Sequence, residues 1–173
     1  GLLLAGGGLV ALSMLTTTTP YWIMAVIFAI MGHGMGATMA PMTAAVMNSV
    51  GHERAGLGSA MTNTSREVGG VFGIALLGTI LFTRLKSVLG PSLAGLGLTA
   101  QQQASIATSA SHGQLDVTQY GLTAQQQAAV GQAFGDAFMS GFHLALLVAG
   151  AVLLLAALLA NRFIPGREAV RDA

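Results

Sequence analysis

The stretch that decides the fold is RAGLGSAMTNTSREVGGVFGIALLGTILFTRL, which runs from Arg54 to Leu85. Its second half, residues 68–82, is apolar and uncharged. At a rise of about 1.5 Å per residue, the whole stretch is long enough to cross a bilayer as one helix. The first half carries an ionisable pair, Arg66 and Glu67. Charged groups on such a helix normally face other protein segments or a water-filled cavity. We therefore expect this helix to pack among other helices.

One face of this predicted helix changes from polar to glycine-lined along its length. Alternating spacings of four and three residues place six residues on that face. They are Ser59, Asn63, Arg66, Gly70, Gly73 and Leu77. The hydroxyl, amide and guanidinium groups lie toward the amino-terminal end. The bare glycines lie toward the other end, where they allow the backbone of another helix to approach closely.

The composition excludes an ordinary soluble domain. Hydrophobic residues make up 53% of the chain and charged residues only 8%, whereas soluble domains carry about a quarter charged residues. The 24 glycines suit helices that pack closely in a membrane. The chain has no cysteine, so disulfides and thiolate metal sites are excluded, and a net charge of +1 gives no reason to propose nucleic acid as a partner. The sequence predicts an all-α membrane protein.

Four apolar segments predict four transmembrane helices, and we interpret the first as the truncated remainder of a longer helix. The segments are 1–19, 21–48, 54–85 and 138–160. A polar loop, 86–136, follows the third segment, and a basic tail, 161–173, ends the chain. Arginines concentrate in the tail and in the turn before the third segment, which predicts that both lie in the cytoplasm and that the loop lies outside. We expect a multi-pass protein of the inner (plasma) membrane.

The predicted loop contains the sequence GLTAQQQA twice, beginning at Gly97 and at Gly121. In each copy a threonine precedes a glutamine by three residues, which is the capping-box pattern of a helix start. The pairs are Thr99 with Gln102 and Thr123 with Gln126. We expect two short amphipathic or surface helices joined by a flexible piece around 109–116, and we expect the segment to be a solvent-exposed loop and not a domain.

A methionine-rich stripe runs along the predicted helix 21–48 with the same four-and-three spacing. Its members are Met24, Phe28, Met31, Met35, Thr38 and Met42. Two interpretations stay open: ordinary packing or lipid contact, and an adaptable wall of a promiscuous pocket, a use that suits polarisable methionine side chains. A separate stripe of small residues on this helix predicts close helix packing. It consists of Gly32, Gly36, Ala40 and Ala44.

The chain resembles a known family through a succession of segments. GHGMGATMAP is followed by VGHERAGLGSAMTNTSREVGGVFGIALLGTIL, a long polar loop and a final Leu/Ala-rich helix. This order resembles the C-terminal end of major facilitator superfamily exporters, and it looks most like the fourteen-helix drug:proton antiporter branch. The likeness covers nearly the whole chain, and its specific part is RAGLGSAMTNTSREVGG. It implies four transmembrane helices from the C-terminal half of the fold, equivalent to core helices nine to twelve.

The resemblance also implies a function. The chain would be the C-terminal part of a proton-coupled efflux transporter, a multidrug or toxic-compound antiporter that works by alternating access. Its partners would be the lipid bilayer, a hydrophobic or cationic small-molecule substrate, protons and the N-terminal helices of the same polypeptide, and no cofactor is implied. The alternative is a non-transporting membrane assembly or sensor module that uses its glycine stripes to pack helices.

The same resemblance assigns expected roles to individual residues. The methionine-rich stripe would face the substrate. The polar and glycine face of the next helix would lie at the seam between the two halves of the transporter. The residues expected at this seam, or in coupling, are Ser59, Asn63, Arg66, Glu67, Gly70 and Gly73.

Two titratable side chains in the predicted spans have open roles. Glu67 is the one carboxylate inside a predicted span, so it is the sole candidate here for carrying a proton, and pairing with a basic group is the alternative. His33 matches no motif of the family. It is either a packed residue or a group that contacts substrate and titrates near neutral pH, so we include it among the candidate cavity residues.

Enzymatic and metal-binding motifs are missing from the sequence. His52 and Glu53 lack the second histidine that a zinc-binding helix needs. The four histidines offer no ligand pair at helical spacing. We predict neither enzymatic activity nor a metal site.

Overall fold

The computed structural model describes residues 1–16, 18–111, 113 and 117–163, and these residues form helices and turns without a strand. The five α-helices are α1 (Leu2–Leu12), α2 (Tyr21–Ser49), α3 (Ala55–Ala94), α4 (Ala100–Ser111) and α5 (Ala124–Phe163). Short 3-10 turns precede α3 at His52–Arg54 and α5 at Val117–Tyr120. The all-helical prediction is confirmed for the described part of the chain.

Three of the described helices, α2, α3 and α5, are long and apolar enough to cross a membrane. Helix α1 has 11 residues, which is shorter than the roughly 20 residues that a span needs. The predicted fourth span therefore stays a prediction. Helices α3 and α5 have 40 residues each, so the predicted spans 54–85 and 138–160 are parts of longer helices. Residues 164–173, most of the predicted basic tail, lie outside the described residues.

By its contacts, the chain divides into two compact units. Among the described residues, the first unit comprises Gly1–Ile74 and the part of the chain from Leu146 to Phe163, and the second comprises Ala75–Ala145. The range of the second unit includes the whole segment 86–136, which we expected to be a solvent-exposed loop and not a domain. The structure differs from that expectation, because nine buried hydrophobic residues cluster there. They are Leu85, Leu89, Leu93, Leu98, Ile106, Ala110, Leu122, Val130 and Ala137.

The two copies of GLTAQQQA begin helices α4 and α5, as the capping boxes predict. The Thr99 backbone N–H donates to Oε1 of Gln102 at 2.9 Å, and the Gln102 backbone N–H donates to Oγ1 of Thr99 at 3.3 Å. In the second copy the equivalent distances between Thr123 and Gln126 are 3.1 and 3.3 Å. Each box satisfies N–H groups that the first turn of a helix leaves without a partner. The predicted capping boxes are confirmed.

The two copies also bind each other through their middle glutamines. Nε2 of Gln102 donates to the carbonyl of Tyr120 at 3.0 Å, and Nε2 of Gln126 donates to the carbonyl of Leu96 at 3.5 Å. Tyr120 and Leu96 each come directly before the glycine that opens the other copy. Those glycines adopt positive φ angles of 61° and 65°, a conformation that glycine reaches without strain. Each copy of the repeat therefore binds the residue before the other copy, and we call this pair of hydrogen bonds the clasp.

The flexible piece predicted around 109–116 falls partly on α4 and partly outside the described residues.

In the first unit, glycines bring α1 into close contact with α2 and α5. A Cβ on Gly34 would lie 2.7 Å from the carbonyl oxygen of Gly1, and a Cβ on Gly150 would lie 2.8 Å from Cγ2 of Val10. Both distances are shorter than real contacts, so only glycine permits these approaches. The stripe of small residues that we predicted on α2 makes no such approach at Gly32 and Gly36. A Cβ placed on either glycine would have no atom within 4 Å. The close approach of α2 uses Gly34 instead.

Candidate functional site

A groove between α2 and α3, within the first unit, joins parts of the two predicted sets of site residues. Its volume is about 540 Å³, which lies in the range of about 300–1,000 Å³ that is usual for small-molecule pockets. We call it the α2–α3 groove. It is lined by Met42, Val46, Ser49, Val50, Gly58, Met61, Thr62, Ser65 and Arg66.

Gly58 sets how closely the two helices approach in this groove. It is buried, and a Cβ placed on it would lie 2.8 Å from Cγ2 of Val50 and 3.6 Å from Cγ1 of Val46. Gly56 lies two positions before Gly58 on the same helix, and a Cβ placed on it would have no atom within 4 Å. A side chain at Gly58 would therefore push the helices apart, whereas the same side chain at Gly56 would meet nothing.

The walls of the groove are mainly apolar and carry three hydroxyl groups. Ser49 donates its hydroxyl hydrogen to the carbonyl of Val46 at 2.7 Å, and Thr62 donates to the carbonyl of Gly58 at 2.9 Å. Such bonds to the preceding turn are common for Ser and Thr on helices. Ser65 forms no hydrogen bond within the described part of the chain, so its hydroxyl remains available as a donor.

Arg66 supplies the one charged side chain of the lining. Its side chain is exposed, and among the described residues it forms neither a hydrogen bond nor an ion pair. Its neighbour Glu67 is also exposed and does not line the groove, as expected for side chains that point about 100° apart. The groove thus combines a guanidinium group with apolar walls.

The structure divides the methionine-rich stripe between different surroundings. Met42 lines the α2–α3 groove. Met31 instead packs against Gly8 of α1, and Thr38 packs against Gly1 while donating its hydroxyl to the carbonyl of Gly34 at 2.8 Å. The alternative of ordinary helix packing therefore describes the two residues that contact α1.

The other members of the stripe are not gathered into one wall by the described chain. Phe28 and Met35 are 55% and 61% exposed, and Met24 is half-buried. His33 is exposed and has no hydrogen bond among the described residues. Their expected contact with substrate stays a prediction.

The predicted seam residues also separate. Arg66 lines the groove, whereas Ser59 and Asn63 are exposed and do not line it. A Cβ placed on Gly70 or Gly73 would have no atom within 4 Å, so no other helix of the described chain packs against these two positions. Their role at a seam stays a prediction.

The sequence interpretation missed the face of α3 that forms the groove. That face is built by Gly58, Met61, Thr62, Ser65 and Arg66. These residues follow one another at helical spacings, so the signal was present in the sequence. The groove face of α3 lies beside the face that the sequence analysis selected. The position of α2 determines which of these two faces lines the groove.

Comparison with known proteins identifies relatives that are transport and resistance proteins. The methylenomycin A resistance protein of Streptomyces coelicolor is 36% identical over 80 residues, which are 46% of this chain and 17% of that protein. The multidrug transporter MdtP of Bacillus subtilis is 30% identical over 116 residues, 67% of this chain and 21% of the transporter. The tetracenomycin C resistance and export protein of Streptomyces glaucescens is 28% identical over 163 residues, 92% of this chain and 30% of that protein.

The chain spans less than a third of the length of each of these relatives. No family model and no solved structure matches the chain. The relatives are resistance, transport and export proteins, and the prediction that the chain is not an enzyme is confirmed.

Proposed function

The chain belongs to the drug and antibiotic efflux proteins of the major facilitator superfamily, and from that membership we propose that it is the C-terminal part of a proton-coupled exporter. The exporter removes hydrophobic compounds from the cytoplasm by alternating access. The helices α2, α3 and α5 cross the inner (plasma) membrane, and α1 completes a fourth span. The C-terminal tail lies in the cytoplasm.

The α2–α3 groove is the observation that carries this proposal. A transporter of varied apolar compounds needs a drug-sized cavity with adaptable walls and few fixed polar groups. The groove has that size, two methionines among its apolar residues and one guanidinium. Charged groups on membrane-spanning helices often mark the path of a substrate or ion, so the guanidinium beside the apolar walls supports the proposal.

The wide exposure of the long helices supports the presence of partner helices. Of the most apolar windows of α2, α3 and α5, only 6%, 6% and 11% of the residues are buried. Lipid covers part of such a surface. The open glycines Gly70 and Gly73 are suited to a second helix rather than to lipid, because a bare glycine allows close backbone contact. We place the N-terminal half of the transporter against this face of α3.

Rocking of the two halves would change which side of the membrane the groove opens to. Within the first unit, the α1 segment contacts α2 at Gly34 and α5 at Gly150. These tight contacts make them suitable to move as one body. Glu67 remains the candidate proton carrier within this chain, and the further coupling carboxylates belong to the N-terminal helices.

Efflux from cells tests the proposal. Cells that express the full-length protein containing this chain are loaded with fluorescent hydrophobic compounds of different charge, and the loss of fluorescence is followed with and without a protonophore. We expect faster loss than in control cells, and we expect the protonophore to abolish the difference. Efflux that persists with the protonophore would contradict proton coupling, and accumulation equal to that of control cells would contradict export.

A further inference from the structure

Within the α2–α3 groove, the charged and polar groups favour one class of compound over the others. We propose that the groove binds an amphipathic organic anion, with the acidic group on Arg66 and the hydrocarbon part against the methionine and valine side chains. This inference depends on the proposed export function and narrows its substrate class. It differs from the hydrophobic or cationic substrate that the family resemblance implies.

The first argument is the charge of the lining. The planar guanidinium fork of Arg66 matches a carboxylate or phosphate group with two parallel hydrogen bonds. No carboxylate lines the groove. Within the described part of the first unit the carboxylates are Glu53 and Glu67, and neither forms an ion pair with Arg66. An anionic compound would supply the missing partner of the guanidinium.

The second argument is the position of the available hydroxyl group. Thr62 and Ser49 use their hydroxyl hydrogens within their own helices, on the carbonyls of Gly58 and Val46. Ser65, directly before Arg66, lines the same groove and forms no hydrogen bond among the described residues. Its hydroxyl hydrogen can therefore be donated to the same anion that binds Arg66. Ser65 and Arg66 thus both line the groove and can both donate hydrogen bonds, and no carboxylate stands among the described lining residues.

The third argument is the apolar part of the groove. Met42 and Met61 come from opposite helices, and Val46 and Val50 complete the hydrophobic side. Methionine side chains are unbranched and polarisable, so they adapt to hydrocarbon groups of different shape. A volume of about 540 Å³ accommodates a drug-sized body. The site thus has a fixed end for the acidic group and an adaptable end for the remainder.

A cationic compound is disfavoured by the same arrangement. It would bring a second positive charge beside Arg66 without a carboxylate in the lining to compensate. Like charges at close range repel, and the repulsion grows as water is excluded from the groove. An acid and its methyl ester differ in this charge and little else. The difference between their dissociation constants therefore measures the contribution of Arg66.

Binding of a matched pair of probes tests the inference. The full-length protein is placed in nanodiscs of phosphatidylcholine, without a proton gradient. The probes are a dansyl-labelled fatty acid and its methyl ester, and their dissociation constants are measured by fluorescence. For Arg66→Gln we expect about tenfold or greater weakening for the acid, because a charge-assisted hydrogen-bond pair is lost, and an unchanged value for the ester. Ser65→Ala should weaken the acid by a smaller factor.

Two further variants separate geometry from charge. Arg66→Lys keeps the charge and loses the fork, so we expect a value for the acid between those of the wild type and Arg66→Gln. Lys86→Gln removes a positive charge from an exposed residue of the second unit, and it should change neither constant. Equal weakening of acid and ester by Arg66→Gln would show that the arginine holds the helices together, and it would overturn the inference. Unchanged binding of the acid would overturn it as well.

A last comparison distinguishes an exported compound from a membrane lipid. The titration is repeated in nanodiscs that contain phosphatidylglycerol. If that lipid displaces the acid from the wild type but not from Arg66→Lys or Arg66→Gln, the occupant is a lipid headgroup and the assignment to a substrate is wrong. An acid that binds equally well in both lipids supports it. Since these measurements use no gradient, their failure would leave the efflux of neutral compounds, and hence the proposed export function, intact.

Discussion

The two compact units of this chain bury their hydrophobic residues to very different extents. In the second unit Ile106, Val130 and three leucines of α3 are fully buried, with Ile106 at 0% exposure. In the first unit large hydrophobic side chains lie on the surface, and Ile74 is 79% exposed. The second unit therefore completes its core within the chain. The first unit leaves this apolar surface to its surroundings, as a protein embedded in a lipid bilayer does.

The same substitution made in both units gives the largest expected difference. Ile106→Ala removes buried methyl groups from a closed core and should lower the free energy of unfolding of the second unit by about 2–5 kcal/mol. Ile74→Ala acts on an exposed side chain, and we expect a change within about 0.5 kcal/mol. Hydrogen exchange of the backbone amides of each unit, in detergent, measures both effects. Equal losses would mean that the two units are packed alike and that the comparison is wrong.

A glycine pair tests the packing of the first unit. Gly58→Leu places a side chain where even a Cβ would lie 2.8 Å from Cγ2 of Val50, so we expect a loss of about 1–3 kcal/mol from overpacking. Gly56→Leu, in open space on the same helix, is the control and should leave the melting temperature nearly unchanged. The two variants have the same composition, so a difference in melting temperature reports position alone. If both variants had the same melting temperature, α2 and α3 would not be in contact at Gly58.

The clasp of the second unit gives the smallest expected effect. Gln102→Ala removes the bond to the carbonyl of Tyr120 together with half of a capping box. A net loss of about 1 kcal/mol is expected, the usual contribution of a hydrogen bond or a cap. Gln101→Ala changes the exposed first glutamine of the same repeat and is the control. Faster amide exchange at the start of α4 in the Gln102 variant, and not in the control, checks the prediction.

Local patterns in the sequence predicted local structure well. The capping boxes at Thr99 and Thr123 depend on residues three positions apart, and both form. Arg66 was singled out because a charge on an apolar helix needs a special environment, and it lines the α2–α3 groove, while its role at a seam stays a prediction. Both inferences needed only chemistry that lies within one or two helical turns.

Features that depend on long-range packing could not be predicted in the same way. Leu85, Leu89 and Leu93 continue the apolar pattern of a membrane span, so the sequence did not reveal that they close a separate core with α4 and α5. The groove face of α3 lies beside the predicted face, and its choice depends on where α2 packs. Gly58 makes a close contact with α2 that the sequence interpretation did not predict, because a glycine shows where a helix can be approached and not by which partner. The contact expected at Gly70 stays a prediction.

The central claim is that the α2–α3 groove is hydrated and binds the exported compound. A cysteine-free form of the full-length protein carrying Ser65→Cys is treated with a membrane-impermeant thiol reagent, with Ile74→Cys as the comparison. We predict that the cysteine at position 65 reacts, that an amphipathic anion slows the reaction, and that the cysteine at position 74 stays unlabelled because lipid covers it. A cysteine at position 65 that is as unreactive as that at position 74, or whose rate the compound leaves unchanged, would contradict the account.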